Sequence, residues 1–274
     1  MNPFSREPLT VESWARAVSR WCHSDSNLGI RGVFGGMLLG LGSCAVSFGG
    51  PRQALLVHRT CIECDLQGVD LAGEDLSGIN AVYSDLSGAM LAGANLSGAK
   101  LSSPPSQFGA GTTRLVGANL SGANLQNATF EDSVLDRADL TGANLGGSIL
   151  TGASLNGANL QGANLQGATI GGPKRVQMMG ANLQGLDLQN LDLSQLSLKD
   201  ANLSGANLQG ASLSYAGLYN VNLRGANLKG TDFTGATMGR AQVDPGAFDG
   251  AIVCETHLPG GEYSFRDCPE RNPY

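Results

Sequence analysis

Between Cys61 and Val253 the large apolar residues of this chain fall five positions apart. The first block runs Cys61, Leu66, Leu71, Leu76, Ala81, Leu86, Leu91, Leu96 and Leu101. The second runs from Leu115 through Leu120, Leu125, Phe130, Leu135 and Leu140 to Ile170, and the third begins at Met178 and continues through Leu203, Leu223 and Phe233 to Val253. Two residues before each centre stands a small residue, most often alanine, as at Ala94, Ala118, Ala123, Ala158 and Ala206. Asn or Asp lies between the two, and Gly comes two after the centre.

A period of five fits neither a straight helix at 3.6 residues nor a plain strand at 2.0, so the chain must turn in every unit. Gly at the turn supplies the backbone freedom this requires. Side chains alternate along the short extended stretch, which turns Ala and Leu inward and the Asn or Asp between them outward. Four units then close a square coil. Residues 20 apart stack, placing Leu120 on Leu140 on Leu160 and Phe130 on Leu150 on Ile170 as core ladders.

This pattern resembles the pentapeptide-repeat family, whose consensus is Ala-(Asp/Asn)-Leu-X-X. The resemblance implies an all-β fold, a right-handed quadrilateral β-helix or solenoid, over Cys61 to Val253. With coils about 4.8 Å apart, about nine coils make a rod about 40 to 45 Å long. Such solenoids are held by stacking of neighbouring repeats and need a cap at each end. The expected organisation is an N-terminal helical and apolar targeting or anchor segment over 1–54, a β-helix over 55–253 and a C-terminal cap over 254–274.

Composition agrees with a narrow aliphatic core: 40 glycines, 5% aromatic residues and a net charge of −6. The regular apolar stripe is what repetitive disordered segments lack. One branch of the family imitates duplex DNA and binds type II topoisomerases. Duplex DNA carries one negative charge per about 1.7 Å, so a rod of this length would need about 25 to match it. Outward positions here are mostly neutral, as at Asn119, Asn124, Asn144, Asn202 and Asn222, and the densest acidic group is Glu131, Asp132, Asp136 and Asp139. A solvated face explains that group, and binding of nucleic acid through basic residues is disfavoured.

The cadence breaks twice, near 102–113 and 171–177. Ser102-Ser103-Pro104-Pro105-Ser106-Gln107-Phe108 leaves the register, and Gly171-Gly172-Pro173-Lys174-Arg175 does so again. Neither insertion is a multiple of five, so each must bulge from the wall. Loops on a rigid scaffold carry recognition often enough to make Pro104, Pro105, Phe108, Lys174 and Arg175 candidate partner contacts; a tolerated surface insertion is the alternative.

Cysteines collect at the ends of the repeat. Cys61-Ile62-Glu63-Cys64-Asp65-Leu66 opens the first coil, and Cys254-Glu255-Thr256-His257-Leu258-Pro259-Gly260-Gly261 with Cys268 follows the last. This arrangement is similar to a cyanobacterial and thylakoid-lumen subset of the family. That resemblance implies disulfides Cys61–Cys64 and Cys254–Cys268. From the residues alone, free thiols, metal binding and redox chemistry stay open. Zinc would need two more ligands, with His58 alone nearby, and a thioredoxin-like role would need a βαβ setting.

Disulfides require an oxidising compartment, and residues 32–48 are uncharged behind Arg31. Their length suits a signal-peptide core better than a spanning helix. Ala45-Val46-Ser47 can serve as a cleavage site, and Leu41-Gly42-Ser43-Cys44 resembles a lipobox that would lipidate Cys44. Upstream, Thr10 can cap a helix with Val11, Trp14, Val18 and Trp21 on one face. An exported location, periplasm or thylakoid lumen with attachment to the membrane through this segment, is the expectation; a cytoplasmic chain is the alternative.

No catalytic constellation is present in the repeat. His23, His58 and His257 all lie outside the coils, so no His-based triad forms on their faces, and no phosphate-binding Gly-X-Gly-X-X-Gly opens a helix. The sequence predicts a non-enzymatic scaffold or protein-binding module with no cofactor, an unidentified protein partner and an open oligomeric state. The alternative function is a cytosolic DNA mimic that binds a type II topoisomerase.

Overall fold

The computed structural model describes residues 50–103, 111–171, 174 and 176–269. The chain divides into two compact units, Met1–Ala45 and Val46–Tyr274, and all described residues belong to the second. The expected helix after Thr10, the apolar run 32–48, Cys44, Pro104, Pro105, Phe108 and Arg175 lie outside the described residues.

Within the repeat, the outward residue of most units makes a parallel β-bridge with its counterparts one coil before and one coil after, as Asn144 does with Asn124 and Asn164. The interval is 20 residues, four units per coil. It lengthens to 29 at Asp85↔Arg114 and to 23 at Ser154↔Gln177, where the interruptions are absorbed. Register therefore survives both breaks.

The unit around Leu120 shows why this sequence takes this path. Ala118 N–H closes a turn onto Leu115 O (3.0 Å), Asn119 N–H reaches back to Ala89 O (2.9 Å), and Leu120 and Gly122 N–H reach forward to Asp139 O (2.7 Å) and Thr141 O (2.8 Å). The remaining donor, Ser121 N–H, is taken by Asn119 Oδ1 at 3.1 Å. All five donors are satisfied, as backbone enclosed in a wall requires. Asn or Asp is thus the residue that completes each turn, beyond covering the outside.

Gly122 sits at φ 64°, the left-handed region that a type II turn demands at this place. Not every unit complies with glycine: Asp132, Gln195 and Tyr215 hold the equivalent position at φ 56°, 61° and 57°.

Inside, Leu120, Leu140, Leu160, Phe130 and Leu150 are fully buried and Ile170 is 2% exposed. A void of about 10 Å³ between Leu165, Ile170 and Met178 marks the second interruption, no larger than one water. Elsewhere in this wall hydroxyls replace alanine and bond backbone, as Ser84 Oγ does to Cys61 O (2.6 Å) and Thr113 Oγ1 to Ser102 O (2.6 Å).

Helix α1 (Gly50–His58) covers the first coil. Pro51 stands at its first turn, where a missing N–H costs nothing, and Leu55 is fully buried beneath it. Arg52 bonds Asp70 O (2.9 Å) and Glu74 (2.6 Å), and Arg59, in left-handed conformation at the helix end, reaches Asp75 O (2.5 Å) and its carboxylate (3.1 Å). At the other end, β1 (Thr256–His257) pairs antiparallel with β2 (Tyr263–Ser264). Phe248 meets Phe233 edge-on at 5.7 Å.

Candidate interaction surface

Two sides of the coil carry ladders of amides bonded to one another. Asn202 donates to Asn182 Oδ1 and Asn222 to Asn202 Oδ1, each at 3.2 Å, and Asn227 donates to Asn207 Oδ1 at 3.0 Å. Carboxylates behave alike: Asp139 accepts from Thr141 N (3.0 Å) and Oγ1 (2.5 Å). Asp136 accepts from Ser154 Oγ (2.5 Å) and Asn156 N (3.2 Å). Asp132 is paired with Lys174, which the second interruption folds back onto the wall. Asp132 and Asp136 therefore tie coils together while Asp139 closes its own turn, and Lys174 spends its charge within its own chain.

The side that runs through Ser154, Gln177, Ser197, Gly217, Thr237 and His257 departs from the pattern. In Ser214-Tyr215-Ala216-Gly217-Leu218-Tyr219, tyrosine stands where the turn glycine belongs and glycine stands where the outward Asn belongs. The exchange opens a trough of about 490 Å³ lined by Val176, Gln177, Met179, Gln195, Leu196, Ser197, Tyr215, Gly217 and Thr237. Tyr215 is 63% exposed, Met179 41% and Tyr219 40%.

Both rings lie against glycines of the next coil. A Cβ on Gly235 would meet Tyr215 Cδ1 and Cε1 at 2.5 Å, and one on Gly239 would meet Tyr219 Cδ2 at 3.1 Å. Lys199 Nζ and Arg240 Cζ stand 6.0 and 5.6 Å from the Tyr219 ring centre, within reach of cation–π attraction. Sequence reading of the average repeat passes over these residues; the signal was the local inversion of Gly and non-Gly positions.

The cysteine pairs lie where the ends are capped. Cys61 and Cys64 have their sulfurs 1.97 Å apart, and Cys254 and Cys268 2.10 Å apart. His58 ends α1 and His257 packs edge-on to Tyr263 at 5.1 Å; among the described residues no cluster suits a metal ion. Two carboxylates are strongly stabilised as anions near these caps. Hydrogen bonds from Ser77, then Arg59, hold Asp75 down to about 2, and those from Arg266 and Val253 N–H lower Asp267. Among the described residues no helix is long and apolar enough to cross a membrane.

Eight copies of the family described as Pentapeptide repeats match the chain, over residues 61–103, 113–152, 138–172, 177–214 and 211–244. The gaps at 104–112 and 173–176 fall on the two interruptions. No curated protein matches.

Among solved structures the chain is similar to HetL from the cyanobacterium Nostoc sp. strain PCC 7120, a pentapeptide repeat protein involved in heterocyst differentiation regulation. That likeness has 30% identity over 78% of this chain and 97% of that one, with a TM-score of 0.41. A trypsin-treated form of QnrB1, a plasmid-mediated fluoroquinolone resistance protein, is 20% identical over 68% and 89%, TM-score 0.35. A thylakoid-lumen pentapeptide repeat protein of Arabidopsis thaliana is 28% identical over 54% and 71%, TM-score 0.14.

Proposed function

This chain belongs to the pentapeptide-repeat family, a right-handed β-helix, and on that footing we propose that it is a non-enzymatic solenoid scaffold that binds a protein partner. The observation that carries the reading is the group of exposed Tyr215, Tyr219 and Met179 at a trough in the wall, with Tyr263 and Phe265 exposed likewise on the C-terminal cap. Large exposed aromatics on rigid backbone are the usual anchors of protein interfaces. The rod in this reading has about nine coils, in keeping with the unbroken bridge column from Asp65 to His257.

Export is the second half of the proposal. Cysteines at bonding distance in both caps support it, since such pairs persist in oxidising compartments. The part of residues 1–54 that precedes α1 then serves as a targeting or anchoring segment, cleaved within 32–48 or retained at the membrane, while Gly50–His58 caps the first coil. Non-reducing mass spectrometry of protein from its native cell tests this. A processed N-terminus with Cys61, Cys64, Cys254 and Cys268 oxidised is expected, and an intact N-terminus with four free thiols overturns it.

Affinity capture from the matching compartment, with the full-length chain as bait, tests partner binding. A partner recovered in stoichiometric amount is expected; none at micromolar bait overturns the scaffold reading. A DNA mimic for a type II topoisomerase draws less support, because the outward columns are amides and the Asp75, Asp136 and Asp139 carboxylates are engaged within the wall. Inhibition of gyrase supercoiling at micromolar protein would reinstate it.

A further inference from the structure

Resting on the scaffold reading, we propose that the trough between Tyr215 and Tyr219 binds an extended acidic segment of the partner protein. An apolar side chain of that segment sits over Gly217, and a neighbouring carboxylate meets Lys199 and Arg240.

The first ground is the exchange of side chains that shapes the trough. At this corner Gln195, Tyr215 and Gly235 follow one another at φ 61°, 57° and 67°, so a tyrosine ring stands where the coil before has an amide and the coil after has no side chain. Gly217 gives up the outward side chain that elsewhere bonds between coils. The glycine is not forced by space, since a Cβ on Gly217 would meet nothing closer than Leu196 O at 3.8 Å.

The second ground is preorganisation. Gly235 and Gly239 seat the two rings, so little side-chain entropy remains to be lost on binding. The tyrosines are four residues apart, about 13 Å along extended chain, and the floor from Gln177 to Thr237 spans three coil steps, about 14 Å. That length accepts about four extended residues.

Charge selects the occupant. None of the nine lining residues is charged, whereas Lys199 and Arg240 stand at the Tyr219 ring, two residues along the chain from Gly217, in a protein whose net charge is −6. Asp200 lies 3.9 Å from Lys199 and screens it in part. Arg240 makes no ion pair among the described residues, and its contact is the Tyr219 ring. A neutral glycan would leave these cations unused, and a nucleic acid would meet repulsion from the rest of the surface. An acidic peptide with an apolar side chain uses both the trough and the cations at Tyr219.

Selection from a library of random twelve-residue peptides on the full chain tests the proposal. The expected pool is enriched in Asp or Glu beside Phe, Leu or Tyr, and its affinity falls with salt. Gly217→Asn and Tyr215→Gly, which restore the family consensus and keep the melting temperature within a few degrees, weaken binding at least about tenfold. Lys199→Glu with Arg240→Glu does the same without touching the trough floor, so a folding defect in one variant leaves the others decisive.

Binding unchanged by these substitutions, a basic or neutral pool, no enrichment, or displacement by a neutral glucan hexasaccharide overturns it. A protein captured equally by wild type and Gly217→Asn overturns this proposal and leaves the scaffold reading intact; failure of both to capture any protein removes that reading.

Discussion

Asn222 donates its side-chain N–H to Asn202 Oδ1 across 3.2 Å, and Asn202 donates in turn to Asn182 at the same distance. Asn202 Oδ1 also accepts Ser204 N–H at 3.1 Å. One amide therefore joins three coils and closes a turn.

Asn202→Asp keeps the acceptor and removes the donor. The carboxylate then faces Asn182 Oδ1, and a loss of about 1 kcal/mol is expected from one broken hydrogen bond. Asn202→Ala removes both roles and is expected to cost more. Chemical denaturation of the two variants side by side separates the contributions.

Gly235→Ala and Gly68→Ala make a matched pair. Both glycines have positive φ, but a Cβ on Gly68 meets nothing within 4 Å, whereas one on Gly235 strikes the Tyr215 ring. Each substitution is expected to cost about 1 kcal/mol in backbone strain, with an added penalty only at Gly235. In a Tyr215→Gly background that excess should vanish, and a double-mutant cycle of melting free energies measures it.

Phe130 is among the largest fully buried side chains. Its replacement by Ala is expected to cost about 3–5 kcal/mol. Because each coil touches only its neighbours, hydrogen exchange should speed first in the coils that bridge through Thr129 and Ile149, while α1 and β1 change little.

Loss of the two cysteine pairs should differ in size. Cys254 and Cys268 enclose 14 positions of chain and Cys61 and Cys64 only 3. Loop-closure entropy puts the first at about 3 kcal/mol and the second at about half that. Paired Cys→Ser variants, compared by thermal melting without reductant, test the order.

Acid should loosen the caps before the coils. Asp75, held at about 2 against an ordinary 3.8, contributes stability that is complete above pH 3.8 and lost as pH falls toward 2. Asp267 is lowered as well and follows the same sign. Hydrogen exchange between pH 5 and pH 2 should show protection lost first at Ser77 and Val253, and Asp267→Asn should remove the acid sensitivity at Val253.

Most of the fold was legible because the repeat is local. The five-residue period assigns each residue to core, outside or turn without reference to anything distant, and the stacking of Leu120 on Leu140 on Leu160 follows from four units per coil. The trough was harder to see. Averaging over repeats hides the one unit in which Tyr215 and Gly217 exchange their places, although both are plain in the sequence.

The sequence by itself determined the solenoid, its inward and outward faces and the positions of its breaks, since all depend on residues within a unit. Tertiary structure decided what the breaks and ends do. Only the folded wall brings Lys174 to Asp132 across 42 positions, sets Arg59 on Asp75 and lays Asp267 on the Val253 N–H. It alone joins Gln177, Ser197, Gly217 and Thr237 into one floor and brings Lys199 and Arg240 to the Tyr219 ring. These contacts depend on how the insertion before Lys174 is shed and on how the two ends fold back onto the coils, and no local periodicity carries that information.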